Sequence, residues 1–219
     1  MSTLYSLIIG TKNWSSWSLR PWLALKATGV SFDEIVIALR QPDTAARIGE
    51  HSPSGKVPVL KITGNGQTQT VFDSLAICET LAEQFPNANL WPKDKNARGF
   101  ARSIAAAMHS GFPDLRSTLP MDFARRIETP ALSDAVKNQI AEVEGYWNEA
   151  RNIYGKGGEF LFGEFSIADC MYAPVVSRFV TYNIAIKGTA RAYMDAVMNR
   201  DAMKQWGEAA AAEVAQGKA

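Results

Sequence analysis

Gly55-Lys56-Val57-Pro58-Val59-Leu60-Lys61-Ile62 is the stretch on which the reading of this chain turns. Its residues favour an extended strand, yet it opens on a proline, which cannot donate a ladder hydrogen bond and so sits at a strand entrance or edge. Thr63-Gly64-Asn65-Gly66 then marks a hairpin turn, and residues 69–72 read as the returning strand. Asp73-Ser74 carries two cap-forming side chains ahead of a helix over 75–84, with Leu75, Cys78, Leu81 and Ala82 on its buried face. Working back, residues 4–9 form an apolar run ended by Gly10, a buried strand. Leu19, Trp22, Leu23 and Leu25 follow at helical spacing, with Pro21 early and Gly29 as the stop. Residues 32–39 alternate as a second strand, and 41–52 make a looser helix. The order is strand, helix, strand, helix, strand, strand, helix.

Beyond residue 85 the pattern changes. Residues 86–95, with two prolines and two asparagines, read as a linker. Helical periodicity then runs over 96–116, 131–154, 166–180, 189–198 and 201–212, and strand signals nearly vanish. The organisation is a mixed α/β domain over 1–85, a linker over 86–95 and an all-helical domain over 96–219. A net charge of +1 calls for no nucleic acid or anionic membrane. The first residues, Met1-Ser2-Thr3-Leu4-Tyr5, lack the basic and apolar regions of a leader, and no apolar run is long enough to span a bilayer, so a cytoplasmic protein is expected. Cys78 and Cys170 form neither a CxxC pair nor a metal cluster, so two reduced, buried thiols and no metal are expected.

Three segments carry chemistry. If the Val57-Pro58 bond is cis, the chain bends and Val57 turns its own N–H and C=O outward, able to pair strand-fashion with a peptide; a trans proline at a strand edge is the alternative. At Asp73-Ser74, the free amides and positive dipole end of a helix suit a carboxylate, while the aspartate suits an ammonium. Asn13-Trp14-Ser15-Ser16-Trp17-Ser18-Leu19-Arg20 lies between the first strand and first helix. A serine hydroxyl there can donate to a thiolate and, with the helix dipole, favour the anion that attacks electrophiles. The residues alone leave open which of Ser15, Ser16 and Ser18 meets the sulfur.

In strand order, in the position of Val57-Pro58 and in the Asp73-Ser74 that follows, the chain resembles the glutathione transferases over nearly its whole length. The resemblance implies an α/β thioredoxin-like N-terminal domain that binds glutathione through its γ-glutamyl end, and an all-α C-terminal domain that shapes the electrophile site. It implies a cis bond before Pro58 and a site at Val57, Asp73 and Ser74, with Lys56 on the glycyl carboxylate. The family more often has Glu or Gln where Asp73 stands, so the reach here is one methylene shorter. The run Ser15-Ser16-Trp17-Ser18-Leu19-Arg20 is similar to the serine signature of the zeta class, which includes maleylacetoacetate isomerases; Trp17 stands where that class has cysteine. On this match Ser15 activates the thiol and Ser16 contacts glutathione.

In the helical half, Ser166 and Asp169 have the spacing of a capping box and are assigned to folding. His109 resembles the zeta-class position that reaches glutathione, and Arg116 shares its face if one helix persists past Pro113. Arg178 or Arg20 would hold a substrate carboxylate. The expectation is therefore a glutathione transferase, dimeric as the family usually is, taking glutathione as cosubstrate and a small electrophile. A maleylacetoacetate-type cis–trans isomerase and a non-catalytic binding module are the alternatives.

Overall fold

The computed structural model describes residues 3–219; Met1 and Ser2 of the opening stretch lie outside it. The elements run β1 (Leu4–Gly10), α1 (Ser16–Thr28), β2 (Asp33–Ile37), α2 (Thr44–Gly49), β3 (Val59–Gly64), β4 (Gln67–Phe72) and α3 (Ser74–Gln84). After a 3-10 turn at Pro86–Ala88 come α4 (Lys95–Ser110), α5 (Pro113–Thr118), α6 (Asp134–Tyr154), α7 (Ile167–Thr181), α8 (Gly188–Asn199) and α9 (Asp201–Ala215). No helix among the described residues is long and apolar enough to cross a membrane.

The four strands order β2-β1-β3-β4. β1 runs parallel to β2 and antiparallel to β3, and β3 to β4. A parallel neighbour needs a crossover, which α1 supplies. Alternation along β1 splits the core: Leu7 and Ile9 join the main cluster with α1 and α3, while Ile8 meets Ile37, Ile48 and Val59 on the α2 side. The β3–β4 hairpin turns through Asn65 (φ 52°) and Gly66 (φ 75°), the positive pair a tight two-residue turn needs.

The helix expected over 96–116 is broken. α4 ends at Ser110, Phe112 takes φ 60° and Pro113 opens α5. Pro113 lacks an N–H and its ring crowds the preceding turn, so the helix stops before it and restarts in a new direction. His109 and Arg116 consequently lie on separate helices.

α7 is almost entirely buried and forms the axis of the helical domain, against α1, α4 and α8. Beside it Trp147 sits among Tyr172, Phe179 and Tyr193, with ring centroids 5.8, 5.6 and 5.0 Å away. Asp169 closes the start of this helix. Its carboxylate accepts from the amides of Leu161 (3.1 Å) and Ser166 (2.8 Å) and from the Ser166 hydroxyl (2.9 Å). Both members of the capping box are present. Replacing Asp169 with alanine strands two buried amides, and a loss of about 3 kcal/mol in denaturant unfolding is expected. Burial pushes this carboxyl up to about 6, against the bonds it accepts. Its folded value lies above its unfolded one. Its contribution is therefore full at low pH and lost as pH rises through about 6, and the stability difference from Asp169→Asn narrows across that window.

Candidate active site

A cleft of about 450 Å³ opens between the two halves. One wall comes from the turn ahead of β3. Gly55 takes φ 67°, the Val57-Pro58 peptide is cis, and Lys56, Val57 and Pro58 line the cleft with Ser54. The buried Ser52 hydroxyl pins this turn, donating to the Lys56 carbonyl (2.7 Å) and accepting from its amide (3.2 Å). Lys56 is left exposed at the rim.

The floor is the start of α3. Asp73 has φ 76°, a left-handed backbone that a non-glycine residue holds only where its surroundings impose it. Its Oδ1 accepts from the amides of Leu75 (2.9 Å) and Ala76 (3.5 Å), capping the helix. Its Oδ2 lies 3.3 Å from His109 Nε2, which reaches across from α4. Ser74 lines the same cleft, and its buried Oγ has no hydrogen-bond partner; neither has His109 Nδ1. A buried polar atom without a partner is rare enough to need an explanation, and a ligand supplies one. These donors and the carboxylate suit an amino-acid end group, carboxylate on Ser74 and the helix amides, ammonium on Asp73 Oδ2.

The third wall is aromatic and cationic. Trp17, in the first turn of α1, has two guanidinium groups over its ring, Arg20 at 4.1 Å and Arg116 at 4.8 Å from its centre. The His109 ring meets it edge-on at 5.4 Å. Arg116 and Phe72 line the cleft here. Arg20, Arg116 and Arg178 have no carboxylate within 4 Å among the described residues. Burial, first, and then Arg178 and Arg116 hold Arg20 well below the usual guanidinium range; burial, first, and then Arg116 bring Arg178 down to about 10. Burial alone lowers Arg116.

The remaining expected residues stand apart from the cleft lining. Ser15 is the N-cap of α1 without a side-chain cap bond; its Oγ is 2.7 Å from Ser18 Oγ, which accepts from the Gly10 amide (3.1 Å). Ser15 and Ser16 are buried beside the cleft and neither forms its wall. Arg20 spends its donors on the carbonyls of Met171 (3.1 Å) and Ser16 (2.9 Å), tying α1 to α7. Arg178 is buried and donates to Leu119 (2.8 Å) and Pro174 (3.2 Å) carbonyls. Neither arginine faces the cleft, which departs from their expected place against a substrate. A guanidinium buried between packed helices finds backbone carbonyls nearer than open solvent. The arginine that does line the cleft is Arg116. A cation shortly after a Pro-initiated turn and able to stack on Trp17 is a signal in hindsight, visible only once the α4–α5 break is known. No group of His, Cys, Asp and Glu among the described residues is placed to hold a metal ion.

A thioredoxin-like sheet with a cis proline at the entrance to β3 on the cleft side, joined to a helical domain that closes the cleft, defines a class of glutathione-handling folds. Two family models match the chain: the N-terminal domain of glutathione S-transferase over residues 14–84 and the C-terminal domain over 133–206. The chain belongs to the glutathione S-transferase family. It is 27% identical over 162 residues to a probable maleylacetoacetate isomerase of Caenorhabditis elegans, covering 72% of this chain and 73% of that one. It shares the fold of a maleylacetoacetate isomerase from Anaeromyxobacter dehalogenans solved with bound GSH (TM-score 0.69, 23% identity, 94% and 95% of the two chains). It also shares that of glutathione transferase Omega 2S from Trametes versicolor (TM-score 0.73, 17% identity, 100% and 99%).

Proposed function

We propose that the protein is a glutathione transferase that makes the glutathione thiolate with the Ser15 hydroxyl and directs it at a small electrophile. The observation that carries this reading is the convergence on one cleft of Val57, Asp73 Oδ2 and the unpartnered Ser74 Oγ, beside the N-terminus of α1. In it, glutathione pairs its backbone with Val57, its γ-glutamyl carboxylate meets Ser74, its ammonium takes Asp73 Oδ2 from His109, and its glycyl carboxylate meets Lys56. Ser18 Oγ already accepts from Gly10, so its own proton is free to point at Ser15. With Ser18 donating to Ser15, one of the two directions this pair allows, the Ser15 proton is left for the sulfur, and Ser16 contacts the tripeptide beside it. In a conjugation the thiolate forms a C–S bond as the leaving group departs with its electron pair.

A second reading has a specific support. Arg116, a cleft cation without a carboxylate partner, suits an acidic electrophile, and maleylacetoacetate isomerases are among the relatives. In an isomerisation the thiolate adds to a double bond, the adduct rotates, and the thiolate leaves again with no net change in glutathione. Arg116 then takes the part expected of Arg178 or Arg20. The same family reading carries a homodimer and a cytoplasmic location.

Calorimetric titration with glutathione tests the reading: one site per chain is expected. Turnover of a chloro-nitro-aryl acceptor against maleylacetone separates conjugation from isomerisation. Absence of glutathione binding would leave the non-catalytic module as the reading.

A further inference from the structure

The loop that carries Ser15 is held from the far end of the chain. Both Glu213 carboxylate oxygens, on α9, accept from backbone amides of that loop: Oε1 from Lys12 (2.9 Å) and Oε2 from Asn13 (2.9 Å), across 200 residues of sequence in the second case. Trp206, on the same helix, donates its indole N–H to the Lys12 carbonyl (2.9 Å). Its ring meets Trp22 of α1 edge-on at 5.2 Å. Asn13 is gripped from the other side as well. Its side chain donates to Asp122 (2.7 Å) and accepts from the Ala124 amide (2.9 Å), and its carbonyl takes the Phe123 amide (3.1 Å). Gly207 lets α9 come this close, since a Cβ there would stand 2.8 Å from the Phe123 ring.

Inside the loop, the Ser15 amide donates to the Thr11 carbonyl at 2.8 Å. The backbone at 11–13 therefore sets where Ser15 begins α1. A carboxylate taking two successive amides is a rigid, charge-assisted fixture that neutral side chains do not reproduce.

From this geometry we propose that Glu213 is a positioning residue for thiol activation, fixing through the Lys12 and Asn13 amides the backbone that presents Ser15. The inference rests on the proposed function. Glu213 touches neither the cleft lining nor Ser15 itself; it acts through the loop. Loss of the clamp lets Ser15 drift by a fraction of an ångström, enough to weaken a hydrogen bond to sulfur while the tripeptide contacts at Val57, Asp73 and Ser74 stay in place.

Glu213→Ala, Glu213→Gln and, as a control, Glu208→Gln on the exposed face of α9 are compared with wild type. The readouts are turnover, glutathione KM, and the pH midpoint of the ultraviolet thiolate band of bound glutathione. For Glu213→Ala, turnover is expected to fall about tenfold and the midpoint to rise by about one pH unit, with glutathione KM within about twofold. Glu213→Gln keeps one acceptor and falls between alanine and wild type; if the alanine variant does not fold, this one decides. An unmoved midpoint in the folded variant, with or without a lower melting temperature, overturns the clamp alone. A wild-type protein without a thiolate band overturns the function and the clamp together.

Discussion

In Ser15→Ala, turnover with glutathione falls about a hundredfold near neutral pH while the KM for glutathione stays within about twofold. The expectation follows from what the hydroxyl does and does not touch. The groups suited to the tripeptide, Val57, Asp73 and Ser74, belong to the cleft lining, and Ser15 does not. Its hydroxyl is paired with Ser18 at the mouth of α1, where the dipole already favours an anion. Removing one donor to the sulfur anion lowers the thiolate fraction of the bound tripeptide, and with it turnover, while the contacts that hold the rest of the tripeptide stay in place. Ser18→Ala loses less activity, because it removes only the group that orients Ser15. It does lose stability, since the buried Gly10 amide then has no acceptor. Steady-state kinetics on both variants checks the order. A larger loss of activity in the Ser18 or Ser16 variant would transfer the role of Ser15.

Asp73 separates binding from folding within one side chain. Oδ1 caps α3 and Oδ2 faces His109 across the cleft. Asp73→Asn keeps a capping oxygen and removes the charge. Glutathione affinity is expected to drop about tenfold with little change in melting temperature. Asp73→Ala removes both, so affinity falls further, by about fiftyfold, and stability falls by about 1 kcal/mol. Calorimetry and thermal unfolding on the pair read the two roles separately. Wild-type affinity in Asp73→Asn would show that the ammonium of the ligand is met elsewhere.

Much of the scaffold was legible because its signals are local. Asn65-Gly66 and Gly29 mark a turn and a helix end through backbone angles that favour glycine or asparagine. Asp73 and Ser166 announce helix starts through their own hydrogen-bonding chemistry, whereas the Ser133 cap, inside the span expected from 131, was not read. The break between α4 and α5 was half legible: Pro113 announced a disturbance, but the left-handed Phe112 that makes it a full stop did not show in the pattern. The second-substrate wall was the least legible part. Periodicity puts Arg178 and Arg20 on helices, yet which way a guanidinium turns depends on carbonyls contributed by distant segments, Leu119 and Met171. Arg116 meets Trp17 only because two helices far apart in sequence face one cleft. The Glu213 clamp has no local signature at all: a glutamate near a helix end looks like any solvated side chain until the fold brings the β1–α1 loop against it.

On the proposed function, the Ser15 hydroxyl stabilises the thiolate of bound glutathione. The most direct test is ultraviolet titration of bound glutathione against pH, in wild type and Ser15→Ala at saturating ligand. In wild type the thiolate band is expected to appear well below the pH at which free glutathione ionises, and in the variant to return close to the free value. Identical titrations in the two proteins would contradict the claim and assign the donor to another group.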